Sequence, residues 1–147
     1  MEKNDGRGGA LRIGIVWGCI GGVVGFLASL LGSLVGLLAG LFVGYSFGKR
    51  AAGADAERPG ALSGLIGGAV AAPVFAVGAS AGALVAAHGI GSPRIAATLS
   101  EVMGTSVSPD EAWTLFLLSI VLAAVLQTAA FVAAATVAGA LAGRHKA

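Results

Sequence analysis

Residues 13–48 read IGIVWGCIGGVVGFLASLLGSLVGLLAGLFVGYSFG, and the reading of this stretch decides the fold. It runs for 36 residues without Asp, Glu, Lys or Arg. Roughly 18 apolar residues already suffice to cross a hydrocarbon core about 30 Å thick. As one helix the stretch would reach about 54 Å at 1.5 Å per residue, deep into both headgroup layers. As a hairpin it supplies two short spans, 12–30 and 33–48. Turn-forming residues cluster at Ser29-Leu30-Leu31-Gly32-Ser33, although the two leucines make the turn unusually apolar. Local chemistry alone leaves long helix and hairpin both open.

The distribution of cationic residues chooses between them. Two further uncharged runs follow, 61–87 and 113–143, giving spans at 61–87 and 109–143. With a hairpin, Lys3, Arg7, Arg12, Lys49, Arg50, Arg58, Arg144 and Lys146 all fall on one side and only Arg94 on the other. Basic residues flanking spans are retained in the cytoplasm, so this arrangement carries a strong orientation signal with both termini inside. A single long first helix would divide the same residues almost evenly and carry none. The sequence therefore predicts an all-α, polytopic helical bundle of four spans in one membrane domain, three if 13–48 is one helix. Its parts are a cytoplasmic tail at 1–11, a Gly-rich hairpin at 12–48, a cytoplasmic loop at 49–60 and a third span at 61–87. An outer loop at 88–108, a fourth span at 109–143 and a cytoplasmic tail at 144–147 complete it. Trp17 and Tyr45 then fall near the inner boundary and Trp113 near the outer one, where amphipathic rings prefer to sit.

Composition agrees. Of 147 residues, 56% are apolar and 11% charged, against about 25% charged in ordinary soluble chains. A membrane-spanning backbone must satisfy its own hydrogen bonds as helices or a closed barrel, and these runs lack the period-2 alternation of barrel strands. A cleaved secretory signal is not expected, because the first apolar run is too long and meets a basic stop at Lys49 and Arg50. Val16-Trp17-Gly18-Cys19 is a poor lipoprotein cleavage box, with Trp where a small residue belongs.

The outer loop carries its own helix signal. Ser92 can cap, Pro93 suits the first helical position, and Ile95, Leu99 and Val102 with Met103 recur at helical spacing up to Gly104. A short amphipathic helix is expected there. Ser108-Pro109-Asp110-Glu111 is then a capping box with proline in the first turn, which starts the last span.

Glycine supplies 25 positions, and its spacing is the strongest pattern in the chain. Gly32, Gly36, Gly40, Gly44 and Gly48 recur every four residues, preceded by Gly14, Gly18, Gly21 and Gly25. Every fourth residue lies nearly on one helix face, so these glycines form a groove in which another helix can settle, a glycine-zipper pattern. Gly64, Gly68 and Ala72 repeat the device in the third span, and Ala130, Ala134, Ala138 and Ala142 in the fourth. The pattern is strong for tight packing and weak for choosing its partner; packing within one chain is the preferred reading and packing between copies the alternative.

The uncharged runs hold few polar residues, among them Ser29, Ser46, Ser63, Ser80, Ser119, Gln127, Thr128 and Thr136, and none of these is an acid or a base. An intramembrane carboxylate, Lys, Arg or His usually marks a proton relay or ion path, so a proton-coupled pump is disfavoured. Gln127 sits midway along the last span beside Ala123, Ala124, Ala130 and Ala134. Gln127 and Thr128 are candidates for interhelical hydrogen bonds or for pore contacts. Pro73 inside the third span removes a backbone donor and is a candidate kink.

Catalytic patterns are missing. Cys19 is the lone cysteine and lies in an apolar run; His88 and His145 fall at opposite membrane faces, too far apart to share a metal. Gly44-Tyr45-Ser46-Phe47-Gly48-Lys49 misses the spacing of a phosphate loop, and Gly89-Ile90-Gly91 lacks the third glycine of a dinucleotide fingerprint. The nine Lys and Arg form no stripe, which excludes a nucleic-acid footprint. No enzyme, no cofactor and no catalytic or metal-binding residue is expected.

The first 70 residues carry a resemblance. The Gly-rich hairpin, Gly40-Leu41-Phe42-Val43-Gly44-Tyr45 before a short basic loop, and Gly60-Ala61-Leu62-Ser63-Gly64-Leu65-Ile66-Gly67-Gly68 opening the next span resemble small four-span prokaryotic membrane proteins grouped as domains of unknown function. The resemblance implies a helical bundle in a prokaryotic inner membrane and transfers no site residues. The sequence is thus read as a non-catalytic membrane component, structural or accessory, whose partners are the lipid bilayer and a second copy or larger membrane complex. The alternative is a small channel or transporter for a neutral solute.

Overall fold

The computed structural model describes residues 5–54 and 59–144, with side chains from Arg12 onward. Lys3, Arg7, Arg58, His145 and Lys146, which entered the charge argument or the metal argument, therefore lie outside the described side chains. Among the described residues there are five helices: α1 (Asp5–Leu30), α2 (Ser33–Ala54), α3 (Gly60–Ile90), α4 (Ser92–Met103) and α5 (Pro109–Arg144). Three of these are long and apolar enough to cross a membrane: Arg12–Leu30 within α1, all of α3 and all of α5.

The 13–48 stretch breaks where its turn-formers lie. The Leu31 N–H reaches the Ala28 carbonyl at 3.1 Å and the Gly32 N–H reaches Ser29 at 3.2 Å, shorter-range bonds that tighten the end of α1. Gly32 then takes φ +125°, a conformation closed to ordinary L side chains, and its carbonyl accepts from the Gly36 N–H at 3.1 Å to open α2. This corrects one assignment: Gly32 makes the turn and has no neighbour within 4 Å of a would-be Cβ, so it is not a packing glycine.

Other boundaries move as well. α2 continues through Lys49 and Arg50 to Ala54, because nothing in that segment breaks a helix once its buried face has docked. α3 runs past 87 to Ile90 and ends on Gly91, φ 85°, whose N–H bonds the Ala87 carbonyl. Gly91, not Ser92, is also the N-cap of α4, with no side-chain capping bond. Gly104 closes α4 in the left-handed region, as its place in the sequence implies. The packed side of α4 is Ile95, Ala96 and Leu99; Val102 and Met103 face away and are exposed. At the start of α5 the capping box forms reciprocally: the Ser108 N–H donates to Glu111 Oε2 at 2.9 Å and the Glu111 N–H to Ser108 Oγ at 3.3 Å.

Direction follows from which residues meet. Along α1, Gly14, Gly18, Gly22 and Phe26 meet Val70, Ala71, Gly78 and Gly82 in order, so α1 and α3 run parallel. Gly36, Gly44 and Gly48 of α2 meet Gln127, Phe131 and Ala135, so α2 and α5 also run parallel. Gly60, Gly64 and Gly68 meet Gly139, Ala135 and Val132, which makes α3 and α5 antiparallel. Among the described residues α1 and α5 do not meet; α2 and α3 touch across the centre. Three fully buried phenylalanines, Phe47, Phe75 and Phe131, fill that centre between the glycine faces. Phe75 and Phe131 anchor one cluster with Val43, Ala71, Ala72 and Ala79; Phe47 anchors another with Ala51 and Ala135, flanked by Ile13 and Trp17.

The two ends of the bundle differ in chemistry. At the end holding the start of α1 and the end of α2, the Arg50 guanidinium lies 4.7 Å from the centroid of Trp17 and Lys49 Nζ lies 5.5 Å from that of Tyr45. At the opposite end His88 meets Trp113 edge-on at 5.2 Å, and Trp113 stacks on Phe116 at 5.7 Å.

Candidate functional site

The glycines of α2 do different jobs at different levels. A Cβ at Gly44 would stand 2.7 Å from the Phe131 carbonyl oxygen, and one at Gly48 would collide with that of Ala135. At both positions backbone lies against backbone. Gly40 instead receives a ring, with Phe75 Cε1 at 2.9 Å from the would-be Cβ. Gly64 abuts the Ala135 carbonyl and Gly68 the Ala135 methyl at 3.0 Å. The α5 stripe that meets these glycines is Gln127, Phe131, Ala135 and Gly139, not the alanine series 130, 134, 138 and 142; of that series only Ala138 is fully buried. Alanine is so frequent between 123 and 142 that small-residue spacing fits more than one face, and the bulky Phe131 decides which face turns inward.

Gly36 is the first glycine of α2 to meet α5. A Cβ there would lie 2.8 Å from Ser29 Oγ and 3.3 Å from Gln127 Nε2. At Gly32, in the turn before α2, nothing lies within 4 Å of a would-be Cβ. Beside that turn lies a cavity of about 450 Å³. Ser29 and Gln127 form its floor, Ala79, Ser80 and Ala83 of α3 one wall, Ser119 and Ala123 of α5 the other, and Ile95 of α4 reaches in from the far end. None of its lining residues is an acid, a base or a cysteine. Ser29 is 5% exposed and Gln127 6%, yet neither side chain has a hydrogen-bond partner among the described residues. A buried carboxamide without a partner costs stability unless something else meets it.

Thr128 does not share this cavity. With Thr136 and Pro73 it lines an open, mostly apolar groove between α3 and α5, which meets the cavity only at Ser80, Ile120 and Ala124. Thr136 Oγ1 is satisfied by donating to the Val132 carbonyl at 2.8 Å. Pro73 lies exposed on that groove, and α3 continues through it from Gly60 to Ile90. Gln127 and Thr128, adjacent in sequence, thus face different spaces. The sequence carries only a weak signal for Ser29 as a site residue, since a serine in a turn region is ordinarily read as a turn-former.

At the basic end, Ser63 Oγ is buried without a partner. No group of three or more His, Cys, Asp or Glu side chains able to hold a metal occurs among the described residues. Compared with models of protein families, with curated proteins and with solved structures, the chain matches none.

Proposed function

We propose that this chain is a four-pass protein of a prokaryotic inner membrane with both termini cytoplasmic, acting as a non-catalytic structural or accessory subunit. The observation that carries the reading is the parallel course of α1 and α3. If both cross the bilayer in one direction, the chain between them has to come back, and α2 is the returning helix. Its uncharged residues, 33–48, extend about 24 Å, at the short end for a core of about 30 Å, and Lys49 and Arg50 carry the helix on into the headgroup layer. Trp17 and Tyr45 beside Arg50 and Lys49 supply an interfacial belt at the cytoplasmic face.

Glycine faces supply the cohesion. Lipid tails are as apolar as leucine, so association inside a bilayer depends on close dispersion contact, which glycine permits. Here those faces are occupied within one chain. The exposed leucines and valines on the outer flanks, such as Leu34, Leu38, Leu122 and Leu126, meet lipid and any further copy or larger membrane complex.

A second reading, a passage for a neutral solute, is favoured by the unpartnered Gln127 and Ser29 at the cavity floor. Reconstitution in liposomes separates the two. The structural reading expects no flux of ions or neutral solutes above empty vesicles and co-purification of membrane partners from native membrane. Flux that disappears in Gln127→Leu overturns it in favour of the passage.

A further inference from the structure

We propose that the cavity between the α1–α2 turn, α3 and α5 binds a small uncharged molecule that offers a carbonyl or hydroxyl group on an apolar body. Two side chains more than nine-tenths buried, Ser29 and Gln127, reach its floor with their hydrogen-bonding capacity unused by the described residues. Ser80 and Ser119 add hydroxyls along the walls, and Ser119 Oγ already donates to the Phe116 carbonyl at 2.7 Å, which leaves its lone pairs to accept. The rest of the lining is alanine, leucine, isoleucine and phenylalanine, with Gly32 and Ser33 at the turn. A cavity of about 450 Å³ lies in the range of small-molecule sites, which are mostly apolar with a few placed polar groups.

Charge selects the ligand class. With no ionisable group in the lining, an ion or zwitterion would lose its hydration without compensation, whereas a neutral amide, alcohol or ester would not. Gln127 both donates and accepts, so it can meet either a carbonyl or a hydroxyl. Below the floor, Phe75 and Phe131 close the centre of the bundle, so the space does not continue along the bundle axis. The inference rests on the membrane-embedded reading, which the labelling of engineered cysteines tests separately.

The experiment uses the full chain in nanodiscs and a photoactivatable octanol carrying a diazirine, with the diazirine-bearing octane of equal length as control. The alcohol should label segments 79–90 and 116–127 saturably, and the alkane should not. Gln127→Leu should weaken alcohol labelling about tenfold, the equivalent of one net hydrogen bond. Ala83→Phe, which fills the cavity, should abolish it, with unchanged thermal unfolding showing that each variant is folded. Should Ala83→Phe fail to fold, Gln127→Leu and the alkane control still decide the matter. Stronger labelling in ether-linked than in ester-linked lipid would identify a lipid ester carbonyl as the resident group, and equal labelling a free solute. Alcohol labelling that is unsaturable, equal to that of the alkane or unmoved by both variants would mean that the space holds water alone, and would overturn the proposal.

Discussion

Phe75 of α3 and Phe131 of α5 meet with ring centroids 5.5 Å apart and planes tilted by 39°, both fully buried, at the level where Gly40 of α2 admits the Phe75 ring. The pair converts an interface of small residues into a filled core. Phe131→Ala should therefore lower stability by about 3–5 kcal/mol, as large cavities in packed cores do. Phe42→Ala, on an exposed face of α2, should change it by roughly 0.5 kcal/mol or less. Thermal unfolding in detergent, followed by helical ellipticity, compares the two.

Glycine substitutions along α2 should rank by what they strike. Gly44→Ala and Gly48→Ala drive a methyl group into the backbone of α5 and should each cost about 1–3 kcal/mol. Gly36→Ala meets the movable Ser29 hydroxyl and the Gln127 amide and should cost less. Gly53→Ala has open space and gains helix propensity, up to about 1 kcal/mol. The same melting assay applied to the series checks the order.

Much of this was legible in the chain. The break after Leu30, the stop at Gly104 and the Ser108–Glu111 box depend on local backbone chemistry, and each occurs where its residues lie. What required the fold was relative placement. Gly32 and Gly36 continue one four-residue spacing, and the fold separates them: Gly32 turns at φ +125° with nothing within 4 Å of a would-be Cβ, whereas Gly36 lies against Ser29 and Gln127. The cavity is lined by residues as far apart in sequence as Ser29 and Gln127, so periodicity within a single helix could not reveal it.

The cap of α5 offers a further check. Ser108→Ala removes the hydroxyl that accepts from the Glu111 N–H and should destabilise the first turn by about 1 kcal/mol. Faster amide exchange confined to the opening residues of α5 is the expected signature, with the bundle core unchanged.

Trp17 reports on the basic end. Arg50→Ala removes the cation over its ring and should cost about 0.5–1 kcal/mol. The fluorescence of Trp17, measured with Trp113→Phe as background, should shift with it. Arg50→Lys should restore part of the effect, since it keeps the charge but not the stacked plane.

The account depends most on α2 crossing the bilayer. On a Cys19→Ala background, Ser33→Cys, Ala54→Cys and Ser106→Cys, introduced singly, are exposed to a membrane-impermeant maleimide in intact cells and again in inverted vesicles. The four-pass arrangement predicts that Ser33→Cys and Ser106→Cys react from outside and Ala54→Cys only from inside. Labelling of Ala54→Cys from the same side as Ser33→Cys would contradict it.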